Sequence, residues 1–546
     1  MTTPQPVEIE LKLALPQQQA ARFLKLMARR RSVPMQQDFV TRYFDTQDFA
    51  LSAQGVALRV RRVGQRWLQT LKTEGERRGG LSQRAEYEMA ITRGTPDWKR
   101  FPAEALERVP ETLRAQLVPV FETHFSRTAW LLKGQGGAQI EVALDVGEVR
   151  TLKGIHAGKR SQPICEIELE LKAGHPDALF ALAQGWAQQL DCLPLDISKA
   201  ERGVRLAHGE AAAPVKSAPV VLKSDMSVEE GFAATIQACL AQFQANLPGV
   251  LAPLMEPLAI RLSPQAGNTL VIPNPLPLGG EGAKATPKPS NDIEYVHQAR
   301  VALRRLRAAL RLYRRVCVLP DALMDGLRTL AAALGPVRDW DVLCSETLPA
   351  IAPHYADVNA WQHGLSALEL RRAELRAAMQ AALMQAHPGA WLLSFQRWML
   401  QRGWRAAPET QRFVQLSSLN KWARRALQKG HRPIVRGARD FGHLQPVQRH
   451  ALRIAIKRQR YAAEFFQGLF PGRRQALYQT ALQEVQDSLG RINDCRVASR
   501  LLTEAGAELG PMGGFVLGWL AAQQANDAKD NIAKQLKNIM ERAPDW

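Results

Sequence analysis

Seven residues near the start of the chain, Val7-Glu8-Ile9-Glu10-Leu11-Lys12-Leu13 (VEIELKL), alternate apolar and charged side chains. Successive side chains of an extended strand point to opposite faces, so Glu8, Glu10 and Lys12 share one face and the four apolar residues share the other. One such strand reads as part of an antiparallel sheet with a solvated side. The alternation recurs, however, with Arg59 and Arg61 in LRVRR, Arg84, Glu86 and Glu88 in RAEYEM, and Glu141 and Asp145 in IEVALD. It returns once more in CEIELELK with Glu166, Glu168, Glu170 and Lys172. A solvated face rarely needs so many opposed charges with so few Ser, Thr or Gln among them. A sheet closed into a barrel around a wet, charged lumen does. There carboxylates offer hard oxygen donors to divalent cations, while Arg and Lys grip phosphate oxygens, Arg often with two bonds at once. The mixture suits a metal-bound chain of phosphates.

The remainder of the chain has a different texture. Up to about Leu206 strand-like runs mix with short helices; the stretch AHGEAAAPVKSAPV then lacks periodicity, and residues 207–223 read as a linker. From about Ser224 to the end Leu, Ala and Arg recur at three- and four-residue spacings, which predicts an all-α second domain over residues 224–546. Residues 263–292 are too rich in Pro and Gly for helix or strand and read as a disordered insertion. The 546 residues carry a formal charge of +20, a bias toward polyanionic partners. It is unevenly placed: residues 1–209 hold 30 Lys and Arg against 24 Asp and Glu, and the rest hold 42 against 28. Six scattered cysteines without a CxxC pair fit reduced thiols. The start lacks a secretory pattern and no long uncharged apolar stretch follows, so the expectation is a cytoplasmic protein.

Several motifs accompany the charged strands in order: YFDT at Tyr43–Thr46, TLKT around Lys72, GGLSQRAEYE ending at Glu88, FSRTAW around Arg127, ALDVGE around Asp145, and SKAERG around Lys199. With ExExK at Glu8–Lys12 this set resembles the CYTH domains, or triphosphate tunnel metalloenzymes, over residues 5–205 and places the domain at residues 1–206. The resemblance implies an α+β domain built on an eight-stranded antiparallel β-tunnel that hydrolyses inorganic triphosphate with Mg²⁺ or Mn²⁺. It implies metal ligands among Glu8, Glu10, Glu166 and Glu168, with Asp145 and Glu88 weaker candidates, and Lys12, Arg59, Arg61 and Lys72 as catalytic groups. Together with Arg84, Arg127, Lys199 and Arg202, those four cations would bind the triphosphate. No GxxxxGK[ST] loop, HExxH helix or serine nucleophile elbow competes for the chemistry. Tunnel relatives also include thiamine triphosphatases and adenylate cyclases, which the lumen pattern does not separate.

In the helical half, Ala299, Leu303, Leu306, Leu310 and Tyr313 form the apolar stripe of one helix. Beside it runs a cationic stripe: His297, Arg300, Arg304, Arg307, Arg311 and Arg314. The device repeats at an offset of 153 residues in His450, Arg453, Lys457 and Arg460, and each copy is followed by a stretch that reads as a turn, LGPVRDWDVL from Leu334 and SLGRINDCRVA from Ser488. Duplication into two similar helical-bundle halves is the simplest cause. The pair resembles the CHAD domain, a conserved-histidine α-helical domain, over residues 225–540. That resemblance implies opposed basic helices binding inorganic polyphosphate through His297, Arg300, Arg304, Arg307, Arg311, His450, Arg453, Lys457 and Arg460, and an association with polyphosphate granules. A non-catalytic polyphosphate-granule binder is the rival reading for the whole chain. Nucleic acid is disfavoured, since the basic helices lack interleaved aromatics.

Overall fold

The computed structural model describes residues 7–30, 32–152, 160–252, 291–406, 409–526 and 529–543. The period-two segments form ten strands: β1 (Val7–Ala14), β2 (Met35–Asp45), β3 (Ala57–Val63), β4 (Arg66–Lys72), β5 (Glu76–Arg78), β6 (Leu81–Ile91), β7 (Val118–Lys133), β8 (Gln139–Thr151), β9 (Ser161–Ala173) and β10 (Leu193–Pro194). Eight run side by side in the order β1-β9-β8-β7-β2-β3-β4-β6, and β6 pairs back onto β1 to close the ring. All pairings are antiparallel, with β5 and β10 as short additions on β6 and β1. The N-terminal domain is thus a closed barrel, as its alternation predicts, with the eight strands that the CYTH resemblance implies.

Closure sends one face of every strand inward and covers the other. Outward-facing Leu11, Leu13, Val142 and Leu169 pack beneath Phe180 and Trp186 of the helix Asp177–Leu190. On another wall Leu58, Val60 and Leu71 pack beneath Phe101. Burial of each such side chain contributes roughly 2 kcal/mol, so the outer shell, not the charged lumen, holds the barrel together. One end of the lumen is filled by Phe39, Phe121, Phe125 and Ile164, against which the helix Lys199–His208 lies. A Cβ at Gly203 would come within 2.0 Å of the Phe121 ring. That helix seats so deeply because position 203 has no side chain.

Among the described residues every long element after Ser227 is a helix. The order repeats: Val228–Val250, the basic helix Asn291–Leu312, Asp321–Val342 and Val358–Gln385 are followed by Leu419–Arg439, the second basic helix Pro446–Phe465, Arg473–Ala505 and Gly510–Asn526. Leu303, Leu306 and Tyr313 of the predicted stripe are buried in one core with Ile456 and Phe465 of the second basic helix. The two stretches read as turns are a correction: the first continues the helix Asp321–Val342 into the π-helical segment Leu343–Thr347, and the second lies inside the helix Arg473–Ala505. Pro336 removes one backbone donor, but buried Leu330, Leu334 and Val337 carry the helix through it. Of the stretch read as linker, Ala207 and His208 still belong to the preceding helix, and Val220 and Leu222 are buried in the helical core. Residues 263–290 of the expected insertion lie outside the described residues; Asn291 and Asp292 open the first basic helix.

The helix Pro388–Leu400, between the two helical sets, packs on the barrel's outer shell through Ala390 and Leu393. Arg397 donates two bonds to Asp177, at 2.8 and 2.7 Å. Gln244 of the first long helix donates to Asp196 at 2.8 Å. No helix among the described residues is long and apolar enough to cross a membrane.

Candidate active site

The barrel's inward face lines a cavity of about 1170 Å³, its mouth included. Lys12, Arg59, Arg61, Lys72, Arg84, Arg127 and Lys199 all reach it, as do Glu8, Glu10, Glu88 and Glu168. Strand register explains why. Lys12 stands opposite Glu168, Glu8 opposite Arg84, Lys72 opposite Glu86, and Arg127 opposite Asp145, so residues distant in sequence become cross-strand neighbours.

Each predicted cation in the lumen already holds a carboxylate. Lys72 Nζ donates to Glu8 at 2.7 Å and lies 3.0 Å from Glu86, while Arg84 reaches Glu10 at 2.7 Å and Glu8 at 3.3 Å. Lys12 donates to Glu10 at 2.6 Å and sits 3.6 Å from Glu168. Arg61 donates to Glu88 at 2.7 Å, and Arg59 lies 3.5 Å from Glu86. Burial alone would push these carboxyls up, yet Lys12 and Lys72 hold Glu10 below the usual range, and Lys72 and Arg59 do so for Glu86. Glu168 is held well below it, because Lys199, Arg127 and Lys12 outweigh the cost of its partial burial.

Three predicted residues sit behind the cavity wall rather than on it. Asp145 and Glu166, 0% and 1% exposed, and Arg202 form a buttress around Lys199. Lys199 Nζ donates to Asp145 at 2.6 Å, to Glu168 at 3.0 Å and also to Glu166; Arg127 grips Asp145 with two bonds of 2.7 Å, and Arg202 donates to Glu166. Oxygens of Asp145, Glu166 and Glu168 lie within 4.8 Å of one another, near enough to share a metal ion. The start of the helix Lys199–His208 fixes this arrangement. Ser198 caps it, exchanging bonds with Glu201, and Glu201 is anchored by Arg77 at 2.6 Å. Lys199 is thereby aimed into the barrel, with Arg202 one turn later.

The cavity also contains side chains not singled out as site residues: Tyr43, Glu86, Glu141, Glu170, Lys172 and Ser198. The alternation marks four of these, but only register tells which reach the lumen. Glu170 differs from its neighbours, since burial together with nearby Glu8 and Glu141 raises its carboxyl despite the bond from Lys172. In YFDT, Tyr43 faces the cavity whereas Asp45 is structural, accepting from the backbone of Thr46, Leu51 and Ser52.

In the helical half the predicted stripes are brought together. Arg304, Arg307 and Arg311 are exposed on the first basic helix; His297 and Arg300 are half-buried. Lys457 of the second basic helix lies near enough to Arg304 and Arg453 that their charges, after burial, pull its ammonium down to about 8. Arg453 donates to Asn493 at 2.9 Å, and Arg300 lies 3.4 Å from Asp339. Those partners come from the two stretches misread as turns, which therefore orient matching arginines of each half. Arg460 donates to Gln486 at 2.8 Å, and His450 is exposed. Burial and then Arg338 lower His297 below its ordinary value, favouring a neutral ring.

Comparison with known proteins agrees with both halves. Residues 7–204 match the CYTH domain family and residues 284–503 the CHAD domain family. An inorganic triphosphatase of Haemophilus influenzae is 35% identical over 207 residues, 36% of this chain and 54% of the relative, so the match spans about half of that protein's length. Among solved structures, the CHAD domain from the plant Ricinus communis is 31% identical, with 60% of this chain and 97% of that chain covered and a TM-score of 0.46. A putative adenylyl cyclase from Hippeastrum, described as having a dominant triphosphatase activity, is 18% identical, covers 37% of this chain and 97% of its own, and has a TM-score of 0.26. The chain therefore carries a CYTH domain over residues 7–204, followed in the same polypeptide by a CHAD domain over residues 284–503.

Proposed function

We propose that the barrel hydrolyses inorganic triphosphate to pyrophosphate and phosphate with a divalent metal, and that the helical domain binds inorganic polyphosphate. The observation that carries this reading is the cavity wall itself, where eight Lys and Arg side chains interleave with seven Glu side chains. Such a wall nearly cancels its own charge. It favours a ligand that brings both signs, as a metal-clad triphosphate does.

The donor set fits a hard cation. Glu8 and Glu10 share Arg84, and Glu10 and Glu168 share Lys12, which gathers three carboxylates on one side of the cavity. We assign Mg²⁺ or Mn²⁺ to these three, which face the cavity; Asp145 and Glu166, although near enough to Glu168 to share an ion, form a weaker site because both are sealed behind the wall. A bound divalent ion supplies neutralisation of phosphate charge and a more acidic water. Lys12, Arg59, Arg61, Lys72 and Arg84 exchange carboxylate partners for phosphate oxygens as the substrate enters. They then stabilise the charge that grows on the bridging oxygen while water bonds to the terminal phosphorus and the bridge to pyrophosphate breaks. Arg127 and Lys199, on the wall, hold Glu168 in position, and Arg202 supports Glu166 from behind it.

A base-free substrate agrees with the charged lumen and with fusion to a polyphosphate binder. The relative from Haemophilus influenzae, called an inorganic triphosphatase, supports the same choice. Turnover of tripolyphosphate, ATP and thiamine triphosphate, with Mg²⁺ and then Mn²⁺, tests it. Tripolyphosphate should be preferred; a large preference for ATP with a cyclic product would overturn it. We place the protein in the cytoplasm with access to polyphosphate granules, which imaging of the tagged chain would check.

A further inference from the structure

A second groove, about 1590 Å³ with its open side included, lies between the C-terminal end of the first basic helix and the helix Leu419–Arg439. Arg311, Arg314 and Arg315 stand along one side. Lys421, Arg425 and Lys429 stand along the other at four-residue steps, on one face of their helix. Arg458 of the second basic helix completes the ring. No carboxylate lines this groove and, among the described residues, none of the seven cations makes an ion pair. Every cation lining the barrel cavity has such a partner. Burial and the charges of Arg311 and Arg314 push the Arg458 guanidinium down, a sign of cations held together without relief.

The floor is apolar. Ala308, Leu312, Val414, Trp422 and Ala426 line it, and at its rim Phe413 is 82% exposed. Trp422 is fixed by stacking on Tyr313, with ring centroids 4.7 Å apart. An inorganic phosphate chain would satisfy the cations and leave this floor and Phe413 in water. A ligand with a flat ring at one end and a run of phosphates at the other satisfies both.

We propose that this groove binds a nucleoside polyphosphate, its base against Phe413 and Trp422 and its phosphates among Arg314, Arg315, Lys421, Arg425 and Arg458. The site is separate from the barrel and does not rest on the barrel's reaction.

Equilibrium binding of ATP and of tripolyphosphate to the full-length chain in EDTA, followed calorimetrically, tests the proposal. The charge reversal Lys421→Glu with Arg425→Glu should weaken ATP binding at least tenfold and leave tripolyphosphate hydrolysis at the wild-type rate. Phe413→Ala, at an exposed position that folding does not need, should weaken ATP binding roughly tenfold through lost stacking and change tripolyphosphate binding less than twofold. ATP binding unchanged by the charge reversal would overturn the proposal. So would a Phe413→Ala effect equal for ATP and tripolyphosphate, which would make the groove a general anion site, or a single-stranded RNA bound more than a hundredfold tighter than ATP.

Discussion

In the barrel, Lys72 has Glu8 at 2.7 Å and Glu86 at 3.0 Å; between the basic helices, Lys457 lies beside Arg304 and Arg453, and neither Lys457 nor Arg304 makes an ion pair among the described residues. Both regions are rich in cations, yet they treat charge in opposite ways. The barrel supplies its own counter-ions at fixed positions, so its cations are preorganised and a ligand must exchange with them. The helical half leaves repulsion to be relieved by whatever polyanion arrives, which makes capture sensitive to salt. Preorganised pairs suit a rate; unrelieved charge suits affinity.

Lys199→Ala should break the contrast most severely. Buried Asp145 and Glu166 lose the ammonium that joins them, and removing one partner of a buried pair costs about 3–5 kcal/mol. Chemical unfolding followed against pH checks the sign. In the wild type Glu10, Glu86 and Glu168 titrate below their ordinary 4.5, so their contribution is complete above that pH and is lost as pH falls through the lowered values. In the variant Glu168 keeps Arg127 and Lys12 but loses Lys199, so it titrates higher than in the wild type and the stability deficit should narrow on mild acidification.

Lys72→Ala comes next. It should lower triphosphate turnover by roughly 10²–10³, the usual loss for one positioned charge-stabilising group, with capture of polyphosphate unchanged in a pull-down. The double reversal Arg304→Glu and Lys457→Glu should do the converse: polyphosphate affinity should fall at least tenfold while turnover and thermal midpoint hold or rise, since like-charge repulsion is removed. The smallest effect concerns pH. With Lys457 at about 8, polyphosphate affinity should fall several-fold between pH 7 and 9 as the ammonium is lost, and Lys457→Arg should flatten that profile.

The barrel was legible because alternation maps directly onto faces: VEIELKL and CEIELELK declare their inward sides without any structure. Depth was not legible. Asp145 and Glu168 carry the same alternation signal, but only the packing of the helix Lys199–His208 decides that the first is sealed behind the wall and the second lines it. Glu86 and Glu170 were visible as charged face residues, yet their access to the lumen depends on register with β4 and β1. Gly335-Pro336 suggested a turn, since local propensity does not register the buried leucines that carry the helix through it. Phe413 and the Leu419–Arg439 helix gave no signal, because their groove exists only once the two helical halves are docked.

Release of phosphate from tripolyphosphate by the full-length chain, wild type beside Glu8→Gln with Glu10→Gln, in Mg²⁺ and in EDTA, tests the central claim most directly. Loss of more than a hundredfold in the double variant and in EDTA, with long-chain polyphosphate still captured, is the expected result. Release at the wild-type rate in either condition would contradict it.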